Sequence, residues 1–340
     1  MNLFLLSAGC CTEGVTVVVV KSKQKVVAIT GTSEFLGGLL LRALINEDWC
    51  ERILALDEYP PTHHAKVIYH PIQLEHMESE KELHRFLDMH GCTTFIHAAS
   101  PQHPMRNLER LHEILSVGSM YLLNLVAKTH VKHLILASTT EVYGATSTNP
   151  NMLTETSPRH ASRGNPFLHD KIDVEKQFEY FGEHHHDVTI SILRMCTILG
   201  QTSRTWMTRF LRQRLIPTVA GYDPLVQFVH ENDVIRAFLH LIQHPHQGAF
   251  NIVGDGVMPL SRAIAMADKT AVPVPSPLFY ITADMLWQAS VSPVPSASID
   301  YLKYGCVADG GKARRELKFE PVYNSEEALM TFLDAHREEE

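Results

Sequence analysis

From residue 25 the chain alternates short, continuous apolar runs with segments in which apolar residues recur every three or four positions. Short runs of this kind suit strands buried on both faces of a parallel sheet, and the three-to-four spacing suits helices packed by one face. Strands are expected at 25–30, 52–56, 94–97, 133–137 and 188–193. Helices are expected at 36–46, 79–90, 108–129 and 171–181. Strands and helices in alternation predict an α/β fold built on a doubly wound parallel sheet.

Beyond Gly200 the regularity weakens, and stretches rich in proline and glycine at 216–224, 272–278 and 291–298 read as loops. Three segments are expected: an extension over 1–24, a nucleotide-binding domain over 25–200, and a small C-terminal substrate lobe over 201–340. Two parts of the lobe, near 227–237 and 249–253, are expected to return to the main sheet, with strands in QFVH (227–230) and AFNIV. Residues 277–290 are expected to form an amphipathic surface helix.

Composition narrows the function. The 340 residues are 45% hydrophobic and 20% charged with a formal net charge of -8, which disfavours nucleic acid as a partner. Six cysteines show neither a CxxC pair nor zinc-ligand spacing. The 21 histidines include His184, His185 and His186, but consecutive side chains cannot all face one ion, so no metal is expected. The apolar start MNLFLLSAGCC lacks the basic residues of a secretory signal. No run reaches the roughly 18 apolar residues of a membrane span, so a cytoplasmic location without membrane contact is expected.

The first strand runs into Gly31-Thr32-Ser33-Glu34-Phe35-Leu36-Gly37, and a helix follows. A strand, a tight turn and a helix start present backbone N–H groups and the positive end of a helix dipole to a pyrophosphate. The second strand ends at Asp57, where a carboxylate accepts hydrogen bonds from the two hydroxyls of an adenosine ribose. A 2′-phosphate would meet Asp57 and Glu58 with no arginine beside them in sequence, which favours NAD over NADP.

Thr30, Gly31 and Gly37 match a TGxxGxxG motif, and further matches run from about residue 25 to 335. They include Phe95-Ile96-His97-Ala98-Ala99, Gly118, Ser138-Thr139 through Tyr143-Gly144, and Lys171. In these motifs the chain resembles the extended short-chain dehydrogenase/reductases, the NAD-dependent epimerase/dehydratase group. The resemblance implies a Rossmann-type fold, with NAD held by Gly31, Ser33, Glu34, Phe35, Leu36, Gly37, Asp57, Ala98, Ala99 and Lys171. It implies hydride transfer on a small-molecule substrate such as a nucleotide sugar, with Thr139 orienting the reacting hydroxyl. It also implies a homodimer through the helices at 116–129 and 171–181, where Met120, Leu123 and Val126 suit either that interface or packing on the sheet.

Three positions depart from the family pattern. Glu34 replaces the middle glycine of the turn, so its carboxylate crowds the cofactor, turns outward or caps the helix start. Leu115 stands where an asparagine is usual. Phe167 stands four residues before Lys171, where the family carries the tyrosine that exchanges a proton with substrate, and a phenyl ring cannot do so. Three outcomes follow: an NAD(H)-binding protein with impaired ordinary activity, an active epimerase or dehydrogenase with a relocated base, or a non-catalytic NAD(H)-dependent sensor or interaction protein. Tyr143 and His97 are the expected substitutes for the base, although both also suit packing under the cofactor. His169, two residues along the helix, points elsewhere.

Overall fold

The computed structural model describes residues 24–73, 80–99, 107–162, 164–289 and 296–337. The expected extension, all but its last residue, and part of the 291–298 stretch lie outside the described residues.

Seven parallel strands form the main sheet. They are β1 (Lys25–Thr30), β2 (Cys50–Asp57), β3 (Val67–Pro71), β4 (Thr94–His97), β5 (His133–Thr139), β6 (Thr189–Met195) and a last strand, Gly248–Ile252. Their order is Gly248–Ile252, β6, β5, β4, β1, β2, β3. The order reverses between β1 and β4, and in such sheets the crevice at that switch point, beyond the strands' carboxyl ends, takes the ligand. Every pairing in this sheet is parallel. β3 escapes the sequence pattern because it is a half-buried edge strand ending in Pro71, a residue tolerated only at sheet edges.

Helices cover both faces. Helix α1 (Phe35–Ile45) packs with one apolar cluster, which also holds Val27, Ile29 and Phe238. The opposite face buries Leu87 of α2 (Glu80–Met89) together with Leu111 of α3 (Leu108–His112). A π-helical turn, Glu113–Val117, joins α3 to α4 (Gly118–Val126). Helix α5 (Pro166–His184) completes that layer. It starts five residues earlier than expected because Asn165 caps it, accepting the Leu168 N–H at 3.1 Å, and Pro166 preorganises its first turn.

The lobe corrects two expectations and bears out a third. Phe228–His230 does not return to the main sheet; it pairs with Thr197–Leu199 as a separate two-stranded ribbon. Gly248–Ile252, by contrast, does join the main sheet beside β6. The proline-rich stretches expected to be loops contain strands, because Leu215–Val219 pairs with Thr270–Val274. Prolines at 217 and 273 hide these strands from a sequence reading, but a two-stranded ribbon is all edge and accommodates them. Ser276–Gln288 is the surface helix expected at 277–290, with Leu278, Ile281 and Met285 exposed. Among the described residues no helix is long and apolar enough to cross a membrane.

Candidate active site

The turn between β1 and α1 is set by two glycines. Gly31 has φ +75°, and a Cβ there would fall 2.6 Å from the Ala99 Cα. A Cβ on Gly37 would fall 2.0 Å from the Gly31 carbonyl oxygen. Both distances are far inside van der Waals contact, so the turn closes onto β1 and the end of β4 only with glycine at these places. Glu34 occupies the N-cap of α1, yet its side chain makes no capping hydrogen bond, and the first turn holds no acidic residue. The expectation that it caps the helix is therefore corrected. The first-turn N–H groups are thus left without a capping carboxylate from Glu34. Burial, and then the neighbouring Asp57, raise the Glu34 carboxyl above its ordinary range.

Asp57 ends β2 as a buried carboxylate. It accepts the Ser33 N–H and the Ser33 hydroxyl, each at 2.8 Å, and the Tyr59 N–H at 3.3 Å. The acid is thereby locked against the turn, beside the helix start, as a ribose-binding acid of a dinucleotide site requires. Although no arginine adjoins Glu58 in sequence, the fold brings Arg110 to 3.9 Å from it.

At the carboxyl end of β5 a cleft of about 640 Å³ opens. It extends from Leu36 and Ala98 at the turn, past Thr139, Glu141, Phe167 and Lys171, to Trp206 of the lobe. The expected site residues Thr139, Phe167 and Lys171 thus share one cleft. Phe167 is buried, and the Lys171 Nζ lies 4.9 Å from its ring centroid. Burial draws the Lys171 ammonium down to about 8, against the opposing pull of Glu141 and Glu175. Leu115 and Phe167 belong to the same apolar cluster as Val174 and Phe178. Two of the three departures therefore share one apolar cluster, and the ring of one of them lies against the lysine.

Glu141 and Trp206 were not singled out in the sequence. Glu141 sits in the single 3-10 turn, Thr140–Tyr143, that follows Thr139. Its N–H donates to Thr139 Oγ1 at 3.2 Å, and its Oε1 accepts the Trp206 Nε1–H at 2.9 Å. Burial raises its carboxyl above the ordinary range, while the Trp206 hydrogen bond and the Lys171 charge act in the other direction. Its place two residues after Thr139 was a usable signal, since a tight turn at a strand end keeps both at the cleft. Trp206 offered none, because its segment reaches the site only through the lobe.

The expected substitute bases are engaged elsewhere. The Tyr143 hydroxyl is buried, donates to Asn251 Oδ1 at 2.7 Å and accepts from Arg194 at 3.0 Å. His97 is held between Thr30 Oγ1 at 2.8 Å and Ser119 Oγ at 3.0 Å, and burial and the Lys171 charge depress it to about 4. His169 is exposed. Below the cleft, the buried Glu175 takes Arg194 at 2.7 Å, Arg159 at 2.9 Å and the Ser138 hydroxyl at 2.5 Å, tying α5 to β5 and β6.

The sequence pattern of the NAD dependent epimerase/dehydratase family matches residues 27–253. The chain belongs to that family. NAD is accordingly its dinucleotide, and the turn, the open helix start and the Asp57 carboxylate fit one. Proteins of Mycobacterium tuberculosis and Mycobacterium bovis, each described as uncharacterized, are 30% identical over 330 residues, 92% of this chain and 87% of theirs. The fold is similar to that of dTDP-glucose 4,6-dehydratase from Streptomyces venezuelae with NAD and TYD bound, at TM-score 0.73 and 17% identity, covering 92% of this chain and 97% of that one. It is similar to UDP-glucose 4-epimerase from Thermotoga maritima with UDP-glucose, at TM-score 0.71 and 18% identity over 92% and 99%. It is also similar to a tyrosine-to-phenylalanine mutant of UDP-glucuronic acid 4-epimerase from Bacillus cereus, at TM-score 0.71 and 17% identity over 93% and 100%. That mutant was solved with UDP-4-deoxy-4-fluoro-glucuronic acid and NAD.

Proposed function

We propose that this chain binds NAD and a nucleotide sugar and interconverts a hydroxyl and a carbonyl on the sugar, as an epimerase or a dehydratase. The observation that carries this reading is the continuous cleft from the glycine turn to Thr139, Lys171 and Trp206. On this reading the Gly31–Gly37 turn and the α1 N–H groups hold the diphosphate, and Asp57, braced by Ser33, takes the adenosine ribose. Ala98 and Ala99 close the floor beside the turn. Lys171 holds the nicotinamide ribose, and the Thr139 hydroxyl orients the reacting oxygen. NAD, when bound, supplies a reversible two-electron acceptor.

The nucleotide-sugar class is supported by the neighbours of the same fold, a dehydratase acting on dTDP-glucose and epimerases acting on UDP-glucose and UDP-glucuronic acid. A phenylalanine in place of a tyrosine is compatible with holding both ligands in that fold, as the Bacillus cereus mutant illustrates. Calorimetric titration with NAD, NADP and, with NAD present, UDP-glucose, UDP-glucuronic acid and dTDP-glucose tests the reading. NAD is expected to bind more tightly than NADP, and at least one of the three sugars to bind the NAD-loaded protein. No heat with NAD, or none with all three sugars, rejects it.

Two copies are expected to pair through α4 and α5, where Met120, Tyr121 and Tyr180 are exposed. Leu123 and Val126, which suited either place, are buried within the subunit. Sedimentation giving a monomer mass would remove this part of the proposal.

A further inference from the structure

Resting on the function just proposed, we infer that Glu141 is the proton acceptor for the substrate hydroxyl, the task that a tyrosine at position 167 has in the family. Three observations lead there.

The first is the composition of the cleft. Among the described residues lining it, the side chains able to gain or lose a proton near neutrality are few. Phe167 has no exchangeable proton. Burial pushes the Cys196 thiol up to about 12, so it stays protonated. Lys171 is the cation of the site. Glu141 is the carboxylate, and it lines the same cleft as the Thr139 hydroxyl.

The second is how firmly Glu141 is held. Trp206 donates to Oε1 at 2.9 Å, and the Glu141 N–H is anchored on Thr139 Oγ1. The Glu141 carbonyl oxygen accepts the Tyr301 hydroxyl at 2.8 Å, and the Thr140 carbonyl accepts the Cys306 thiol at 3.4 Å. A carboxylate fixed at the backbone on both sides and at one oxygen is preorganised for one proton position.

The third is charge. Burial lowers the Lys171 ammonium, and the Glu141 and Glu175 carboxylates oppose that shift. Glu175 is held by two arginines, whereas Glu141 lines the cleft together with Lys171. A carboxyl raised by burial is also a stronger base than an exposed one, as proton abstraction near neutral pH requires.

The step balances without further reagents. The substrate O–H bond breaks and its proton passes to the Glu141 carboxylate. The C–H bond on the same carbon breaks, its hydrogen and electron pair passing to NAD, and a C=O bond forms. Reduction reverses both transfers, the Glu141 acid returning the proton to oxygen.

Glu141→Gln keeps the acceptor for the Trp206 N–H and removes the base. In it, NAD and nucleotide-sugar binding by calorimetry are expected to stay within about threefold of wild type, while conversion of UDP-glucose, UDP-glucuronic acid or dTDP-glucose falls by roughly 10²–10⁴-fold. The double variant E141Q/F167Y, which restores a phenol beside Lys171, is expected to regain at least about tenfold of that loss. Independently of turnover, the pH titration of Trp206 fluorescence is expected to show a transition above the ordinary carboxylate range that E141Q lacks. Turnover in E141Q within tenfold of wild type, or no rescue by F167Y, overturns the assignment. So does a wild type that binds NAD and a nucleotide sugar yet converts none of the three. Failure to bind NAD or any sugar instead removes the proposed function and the assignment with it.

Discussion

Lys171 Nζ lies 4.9 Å from the centroid of the Phe167 ring, four residues before it in the first turns of α5. Residues at this spacing share a helix face, and a cation over an aromatic face is attracted to it. The lysine thus lies over an apolar ring that supplies no proton. Phe167→Tyr would add a hydroxyl beside a desolvated ammonium. That phenol is expected to titrate at least about one unit below the ordinary value near 10, because an adjacent positive charge favours the phenolate. A variant-minus-wild-type absorbance titration reads it, and an unshifted or raised midpoint would contradict the placement of Lys171.

Turnover is expected to have a bell-shaped pH dependence. A base acts when deprotonated, so activity rises as Glu141 loses its proton, above the ordinary carboxylate range because burial raises it. Lys171 acts as a cation and loses its proton at about 8, so activity falls as pH climbs past that value. A pH profile of kcat/KM checks both limbs, and Lys171→Met should abolish the alkaline one.

Gly31→Ala and Gly91→Ala separate conformational cost from collision. Both glycines have positive φ, at +75° and +65°, but only Gly31 has atoms waiting where a Cβ would go. Gly91→Ala is expected to lose about 1–2 kcal/mol of stability, the strain of a left-handed residue, and to bind NAD normally. Gly31→Ala is expected to lose more than that and to bind NAD at least tenfold more weakly. Urea melts with calorimetry distinguish them, and equal behaviour of the two would undo the argument.

Removing the buried Arg194 leaves Glu175 with less compensation in the interior. Arg194→Met is expected to cost about 3–5 kcal/mol, the range for breaking a buried ion pair. An unchanged urea midpoint would mean that Arg159 alone satisfies the carboxylate.

Stability is expected to drop as pH falls through the acidic range. His97 is held neutral, its pKa lowered from 6.5 to about 4 by burial and by the Lys171 charge. The unfolded chain therefore takes up a proton between those values that the folded chain refuses. This stabilisation is fully present above about 6.5 and is lost as pH descends to about 4. A shift of this size corresponds to about 3 kcal/mol. His97→Gln should flatten that part of the stability curve measured by urea melts. An unchanged slope would show that other groups, such as the buried His133, dominate.

Much of the fold was legible because its signals are local. Continuous apolar runs marked five of the seven strands and a short lobe run a sixth, and the glycines at 31 and 37 marked the turn. A glycine requirement is a property of one backbone position, and an apolar run is a property of a few consecutive residues. β3 and the ribbon of Leu215–Val219 with Thr270–Val274 were missed because edge strands with prolines lack that run.

By itself the sequence determined the doubly wound sheet, the glycine turn, the acid at Asp57 that ends the second strand and a phenylalanine four residues before Lys171. The tertiary structure decided which groups share the cleft. It placed Trp206 against Glu141, turned Tyr143 onto Arg194, buried His97 behind Lys171 and gathered Leu115 and Phe167 into one apolar cluster. The physical reason is that a side chain's proton affinity depends on neighbours distant in sequence and on the water they exclude, and only the packed chain specifies both.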